Sequence, residues 1–134
     1  MTSDQRVFDA VPPSALSVRR FVTAMLRAEG ADERSVKNLT LAASELASNI
    51  ILHGQCPELC VTVQTSETWW AVEVRGGQVL PSDMLEPAGW AFPPANHLSG
   101  RGLAIVRDVV DEIRVRDHEG ELSISCRLRR IVST

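Results

Sequence analysis

Three polar residues in one stretch of the chain have the spacing of a binding or catalytic site. Glu45, Asn49 and His53 follow one another at intervals of four residues. Four helical residues overshoot one full turn by only about 40°, so the three side chains would project along one edge of a helix. A carboxylate there can accept a proton from a hydroxyl nucleophile, and an amide oxygen is a suitable ligand for a magnesium ion that keeps most of its waters. A solvated helix edge is the commoner origin of such a trio taken alone, and a histidine at a helix end more often packs than catalyses.

A second candidate lies at the glycine-rich sequence Ser99-Gly100-Arg101-Gly102, between a long loop and a predicted helix. Glycines at this position let backbone N–H groups and the positive end of the helix approach an anion closely, which favours phosphate binding. Arg101 could neutralise phosphate charge or could be a solvated loop arginine. The two glycines could equally serve only a tight turn, so this motif alone also leaves both interpretations open.

Three amphipathic patterns predict the helices that would position these residues. The first lies between Ser14 as N-cap and Gly30 as C-cap, the second begins after Asp32 and ends before Gly54, and the third covers 103–110. The second helix carries the polar trio. The glycine motif leads directly into the third helix.

Alternating apolar and polar residues predict strands. An extended start covers 6–11, and two hairpins follow, formed by 59–64 with 70–75 and by 113–116 with 122–128. Strands with two distinct faces and amphipathic helices together predict an α+β fold. We expect a two-layer sandwich in which the helices cover one face of a mixed or antiparallel sheet.

The segment 77–99 has no periodicity and contains several glycines and prolines. Loops of this length are usually functional or disordered. Trp90 and Phe92 lie within it and could anchor a partner, because aromatic residues dominate interface hot spots, or could fold the loop over a pocket. The adjacent Trp69 and Trp70 are interpreted as packing residues of the sheet.

Composition limits the classes of function. The chain has 14 Lys and Arg against 17 Asp and Glu, and its arginines alternate with acids in 111–117, so we expect no nucleic-acid ligand. Its three cysteines include no CxxC pair, so neither a disulfide framework nor a zinc site is predicted. No apolar run approaches the ~20 residues that span a bilayer. We expect no membrane association and one cytoplasmic domain over residues 1–134.

Taken together, the two motifs resemble the GHKL ATPase superfamily. The sequence ELASNIILHG at 45–54 is similar to the N-box of these ATPases, and GRGLAIV at 100–106 is similar to their second glycine box, in the same order along the chain. The likeness covers about residues 8–130. Within the superfamily, the chain most resembles bacterial anti-sigma factor serine kinases of the RsbW and SpoIIAB type, because it is short and has the Glu-x-x-x-Asn-x-x-x-His pattern.

This resemblance implies a Bergerat-type fold that holds ATP between the second helix and a lid formed by 77–99. Asn49 would coordinate Mg²⁺, and Glu45 would act as catalytic base towards a serine of a partner protein. The implied partners are a sigma factor and an antagonist protein of the STAS type, and the chain could form a homodimer. The resemblance implies the following cofactor-binding residues: Asn49, His53, Gly76, Gly100, Arg101, Gly102 and Leu103.

The sequence departs from the family pattern at one position. In the family, an Asp-x-Gly-x-Gly motif follows the strand after the N-box and its aspartate binds the adenine amino group, whereas this chain has Gly76 there and no acid before Asp83. A charge-assisted hydrogen bond contributes ~1.5–3 kcal/mol, so its loss would weaken adenine binding roughly ten- to a hundredfold. The sequence therefore predicts either a partner-switching kinase or a nucleotide-independent binding module on the same fold. A site for another phosphate-bearing ligand is a third possibility.

Overall fold

A computed structural model describes residues 2–53, 56–77, 101–118 and 120–131. Most of the predicted lid, with Trp90 and Phe92, lies outside these residues, as does Gly100. The elements follow in chain order: β1 (Thr2–Asp9), α1 (Ser14–Ala28), α2 (Glu33–His53), β2 (Glu58–Thr65), β3 (Trp69–Arg75), α3 (Arg101–Val109), β4 (Glu112–His118) and β5 (Glu121–Arg129).

The strands form one five-stranded sheet in the order β1-β2-β3-β5-β4, and every neighbouring pair is antiparallel. The predicted α+β class and both predicted hairpins are confirmed. The second hairpin joins the first through β5, whose Cys126 lies opposite Val72 of β3. As a result β4, although it precedes β5 in the chain, occupies the far edge of the sheet.

The core lies between one face of this sheet and the helices. Alternate residues of the inner strands point into it, as the period of two requires. Helices α1 and α2 pack on each other and on this face, and α3 packs on α2. The side chains that are fully buried there include Val18, Val22, Leu26, Leu39, Leu46, Val61, Val72, Val74 and Val106.

Helix α1 begins and ends close to the predicted residues, but with different caps. Ser14 is the first helical residue rather than the N-cap, which is Pro13, and no side chain caps this end. At the other end the C-cap is Glu29, and Gly30 follows it with φ +85°. The Ala31 N–H donates to the Leu26 carbonyl at 3.0 Å, which completes a Schellman motif. Gly30, predicted as the C-cap, thus ends the helix from the position that follows the C-cap.

Helix α2 begins as predicted, with Asp32 as its cap. The Ser35 N–H donates to Oδ2 of Asp32 at 3.1 Å, and the Ser35 hydroxyl donates to Oδ1 at 2.7 Å. The bond from the Ser35 hydroxyl holds the pKa of Asp32 below its ordinary value. This end of α2 is therefore fixed by a charged cap.

Two element boundaries were predicted wrongly from the sequence. β1 covers Thr2–Asp9 rather than 6–11, because it pairs with β2 along its whole length although its side chains are nearly all exposed. An edge strand with little burial has no alternating apolar pattern to detect. α3 begins at Arg101 rather than at residue 103. Gly102 therefore lies inside the first turn of the helix and not in the preceding loop.

Candidate functional site

Glu45 and Asn49 lie on one edge of α2, next to the face that packs in the core. Both are half-buried, whereas the neighbouring Leu46, Ala47 and Ile50 are buried. Within the described ranges, neither the Glu45 carboxylate nor the Asn49 amide has a hydrogen-bond or ion-pair partner. Both groups therefore present free oxygen atoms at a partly desolvated position, which suits a ligand better than a solvated helix edge does.

The first turn of α3 lies directly against Glu45. A β-carbon built on Gly102 would stand 2.5 Å from Oε2 of Glu45 and 3.4 Å from its Cδ, and real β-carbons essentially never come closer than 3.0 Å to another atom. Residue 102 must therefore be glycine for the carboxylate to keep this position. The packing brings together Glu45 and Gly102, one residue from each of the two sequence motifs.

This end of α3 has the electrostatics of an anion site. The first N–H groups of a helix have no partner within the helix, and together they carry a partial positive charge. The first turn of α3 contains no acidic residue of its own. Leu103 can contribute only through its backbone, because its side chain is buried in the core with 3% of its surface exposed. A phosphate group could be bound here by backbone donors, as at other helix N-termini.

The remaining predicted site residues fall around this centre. Arg101 is the first residue of α3 and His53 the last of α2, and each is described by its backbone alone. Gly100 lies outside the described residues. Of the residues predicted to contact phosphate, Gly100 to Leu103, the structure thus describes the surroundings of Gly102 and Leu103.

Gly76 lies at the end of β3 and is held by the sheet. Its N–H donates to the Leu122 carbonyl at 3.0 Å, and the Leu122 N–H donates to the Gly77 carbonyl at 3.2 Å. A β-carbon on Gly76 would lie 3.1 Å from the Glu58 carbonyl oxygen and 3.2 Å from the Leu59 α-carbon. These are backbone atoms of β2, which cannot swing aside as a side chain can. A side chain at position 76 could enter only if the backbone of β2 shifted by a few tenths of an ångström.

The residues present fit a magnesium–phosphate group better than they fit adenine. In the part of the chain that is described, no cluster of three or more His, Cys, Asp and Glu residues could hold a metal ion by itself. Magnesium, however, commonly keeps several waters and takes only one or two protein ligands, so the Asn49 amide oxygen, which has no partner among the described residues, suffices. At the position that the sequence predicts to contact adenine, Gly76 supplies no carboxylate.

The contact between Glu45 and Gly102 was not apparent from the sequence, because the two residues belong to distant segments. The sequence carries no signal for this contact, because it predicts Gly102 in the loop before the third helix. Among the described residues, no helix is long and apolar enough to cross a bilayer.

Comparison with known proteins shows the same fold in two solved structures. A crystal structure of the RsbU and RsbW domains of Rv1364c from Mycobacterium tuberculosis matches 99% of this chain with a TM-score of 0.70 and 19% identity, and the chain spans 35% of that longer chain. The catalytic domain of the histidine kinase ThkA matches 94% of this chain, with a TM-score of 0.51 and 15% identity, and the match covers 97% of that domain. No curated protein sequence matches significantly. A family model described as the histidine kinase-like ATPase domain matches residues 8–127. The chain therefore belongs to the histidine kinase-like ATPase domain family.

Proposed function

We propose that this chain is a cytoplasmic regulatory protein of the anti-sigma-factor type, which binds Mg²⁺-ATP and phosphorylates a serine of an antagonist protein. The observation that supports it is the placement of the Glu45 carboxylate, which has no partner in the described part of the chain, against Gly102 at the N-terminus of α3. A proton acceptor beside an anion-binding helix end is what transfer of a phosphoryl group to a hydroxyl requires.

Each residue has a distinct role in this proposal. The backbone N–H groups at Gly102 and Leu103 bind phosphate oxygens, and the Asn49 amide oxygen holds Mg²⁺. The Glu45 carboxylate accepts the proton of the attacking serine hydroxyl at one of its oxygens. ATP, when bound, would supply the γ-phosphoryl group: the serine oxygen would bond to phosphorus as the phosphorus–oxygen bond to ADP breaks, and ADP would leave. Arg101, if its side chain turns towards the phosphates, adds positive charge.

The proposed partners are a sigma factor and an antagonist of the STAS type. The structural similarity to an RsbW domain supports this choice, as do the Glu45, Asn49 and His53 spacing and the match over nearly the whole chain. Phosphorylation of the antagonist would release it and allow the chain to bind the sigma factor instead.

Nucleotide titration tests the proposal directly. We expect millimolar Mg²⁺-ATP to give binding heat and to raise the melting temperature. The Glu45→Gln variant should bind the nucleotide but lose transfer to an STAS antagonist by ~10²–10⁴-fold, the usual contribution of general base catalysis. Glu67→Gln, at an exposed glutamate in the β2–β3 turn, is the matched control and should behave as wild type. Absence of both heat and stabilisation in the wild-type chain would refute the proposal.

A specific observation favours a second function, a nucleotide-independent protein-binding module. Gly76 supplies no carboxylate for adenine, and its surroundings leave little room for one. In that case the chain would capture a sigma factor or antagonist equally well with and without ATP, and a pull-down under both conditions distinguishes the two functions.

The variants Gly76→Asp and Gly76→Ala separate the missing carboxylate from the crowding. Both introduce the β-carbon close to β2, but only Gly76→Asp adds a hydrogen-bond acceptor. Tighter ATP binding by Gly76→Asp than by Gly76→Ala would show that the pocket persists without its adenine contact. Equal behaviour of the two variants would favour the module.

A further inference from the structure

The face of the sheet opposite the helices gathers arginines from three strands. Because side chains alternate along each strand, residues paired across the sheet share a face. Arg75 of β3 lies opposite Ser123 of β5, which lies opposite Arg116 of β4, and Ser125 lies opposite Arg114. We call this surface the arginine face, defined by Arg75, Arg114, Arg116, Arg127 and Arg129.

The charge of the arginine face is only partly neutralised. Arg114 pairs with Glu112 at 2.8 Å and Arg75 with Glu121 at 3.3 Å, and Arg75 and Glu112 are half-buried. Over the residues that the structure describes, no carboxylate lies within 4.0 Å of the guanidinium groups of Arg116 and Arg127. This excess of positive charge stands out because the whole chain carries a net charge of −3.

The arginines surround a shallow groove of about 200 Å³. Arg114, Arg116 and Arg127 line it together with Ser123 and Ser125, and the remaining lining residues are Gln64 and one acid, Glu73. Guanidinium groups form bidentate hydrogen bonds with carboxylates, and neighbouring hydroxyls can donate to the same oxygens. The groove therefore has the donors needed to bind a row of carboxylates.

We propose that the arginine face docks an acidic segment of a partner protein. Three strands spaced ~4.8 Å apart, each about seven residues long, give a face on the order of 300 Å². A standard interface buries about 800 Å² on each partner, so the contact is weak and depends on salt. It lies on the side of the sheet opposite α2 and α3, so it goes beyond the proposed nucleotide site and does not depend on it.

The arrangement of the face favours a protein over a nucleic acid. Glu73, Glu112 and Glu121 lie among the arginines, so the positive charge is interrupted across the face. A short acidic segment can contact the groove alone, whereas a nucleic acid carries a charge at every nucleotide along its backbone. Binding of single-stranded nucleic acid also needs aromatic rings on which bases can stack. Trp69 is the aromatic residue on the described part of this face, and the guanidinium groups of Arg127 and Arg129 already lie 5.9 and 5.7 Å from its ring centre.

Fluorescence anisotropy with a labelled hexaglutamate peptide tests the proposal on the full chain at low ionic strength. We expect saturable binding that weakens with added salt, and roughly tenfold or greater weakening in the double variant Arg114→Glu/Arg116→Glu. The matched control, Arg19→Glu/Arg34→Glu, reverses two exposed arginines on the helical side and should change affinity less than about twofold. Circular dichroism verifies that both variants fold.

Several results would overturn the proposal. One is equal weakening in the two double variants, which would indicate general charge attraction, and another is unchanged binding in Arg114→Glu/Arg116→Glu. A hexathymidine oligonucleotide that binds more tightly than hexaglutamate, and loses this binding in the face variant, would assign the face to nucleic acid. Light scattering that shows a dimer abolished by the same variant would assign it to self-association.

Discussion

Replacing Gly102 by alanine tests the central contact of the candidate site. The substitution adds one methyl group in the first turn of α3, at a position 2.5 Å from Oε2 of Glu45. The methyl group and the carboxylate oxygen cannot both stay where they are. The oxygen is the far end of a flexible side chain, whereas the methyl group is fixed to the helix backbone. Glu45 will therefore move, by roughly 1 Å or more, to restore an ordinary carbon–oxygen contact of ~3.5 Å.

The expected effects on stability and on function differ in size. Alanine is more favourable than glycine in a helix by up to about 1 kcal/mol, and displacing the Glu45 side chain costs a comparable ~0.5–1.5 kcal/mol. The free energy of unfolding should thus change by less than about 1 kcal/mol. A misplacement of ~1 Å in a catalytic group can reduce the rate by about 10²-fold. We expect Gly102→Ala to fold normally and to transfer phosphate about a hundredfold more slowly.

Urea denaturation and phosphoryl transfer to an STAS antagonist measure the two effects on the same preparation. Glu45→Asp withdraws the carboxylate by one methylene group, so in the Gly102→Ala background it should relieve the collision and recover part of the rate. Glu45→Asp alone completes the double-mutant cycle. The reasoning is wrong if Gly102→Ala loses more than about 2 kcal/mol of stability, or if it transfers phosphate at the wild-type rate.

Three further predictions concern stability and reactivity. Asp32→Ala should lower the free energy of unfolding by about 1 kcal/mol at neutral pH. Because Ser35 holds the pKa of Asp32 below its ordinary 3.8, this contribution is present above that value and is lost as the pH falls through the folded-state pKa, so urea unfolding of the two proteins should converge in acid. Gly30→Ala should lower the free energy of thermal unfolding by ~1–2 kcal/mol. The cause is the backbone, because φ is +85° there and an added β-carbon would meet nothing within 4 Å. Asparagine tolerates this conformation better than alanine, so a smaller loss in Gly30→Ala than in Gly30→Asn would contradict a backbone cause. Burial raises the pKa of Cys126 to about 12, so mass spectrometry should find alkylation at the half-buried Cys56 first and at Cys126 only after unfolding.

Much of the local structure could be predicted from the sequence, because side-chain periodicity is a local property. The apolar stripe of α2 and its Asp32 cap, the glycine after α1 and the alternation in β3 and β5 all predict the elements observed. β1 was predicted poorly because its side chains are mostly exposed, so backbone pairing with β2 and not burial fixes its length. The first turn of α3 was assigned to a loop because Gly102 lowers helix propensity at that point.

The candidate site divides in the same way. The intervals between Glu45, Asn49 and His53 are set by the helical repeat, so the sequence alone places these residues on one edge of α2. The contact of Glu45 with Gly102 depends on how α3 packs against α2. Neither motif predicts that packing. The sequence also does not predict that the backbone of β2 lies close to Gly76.

By itself, the sequence determined the α+β class, the helices and hairpins, and the two motifs of the family, because hydrophobic periodicity, caps and motif spacing act over a few neighbouring residues. The tertiary structure alone decided the strand order, the meeting of Glu45 with Gly102 and the arginine face. Arg114 and Arg127 alternate with acidic or neutral residues along the chain, and they share one face only because β4 and β5 pair in one register. Backbone hydrogen bonds between distant strands and the packing of helices on a shared core set these positions, and neither leaves a local pattern in the sequence.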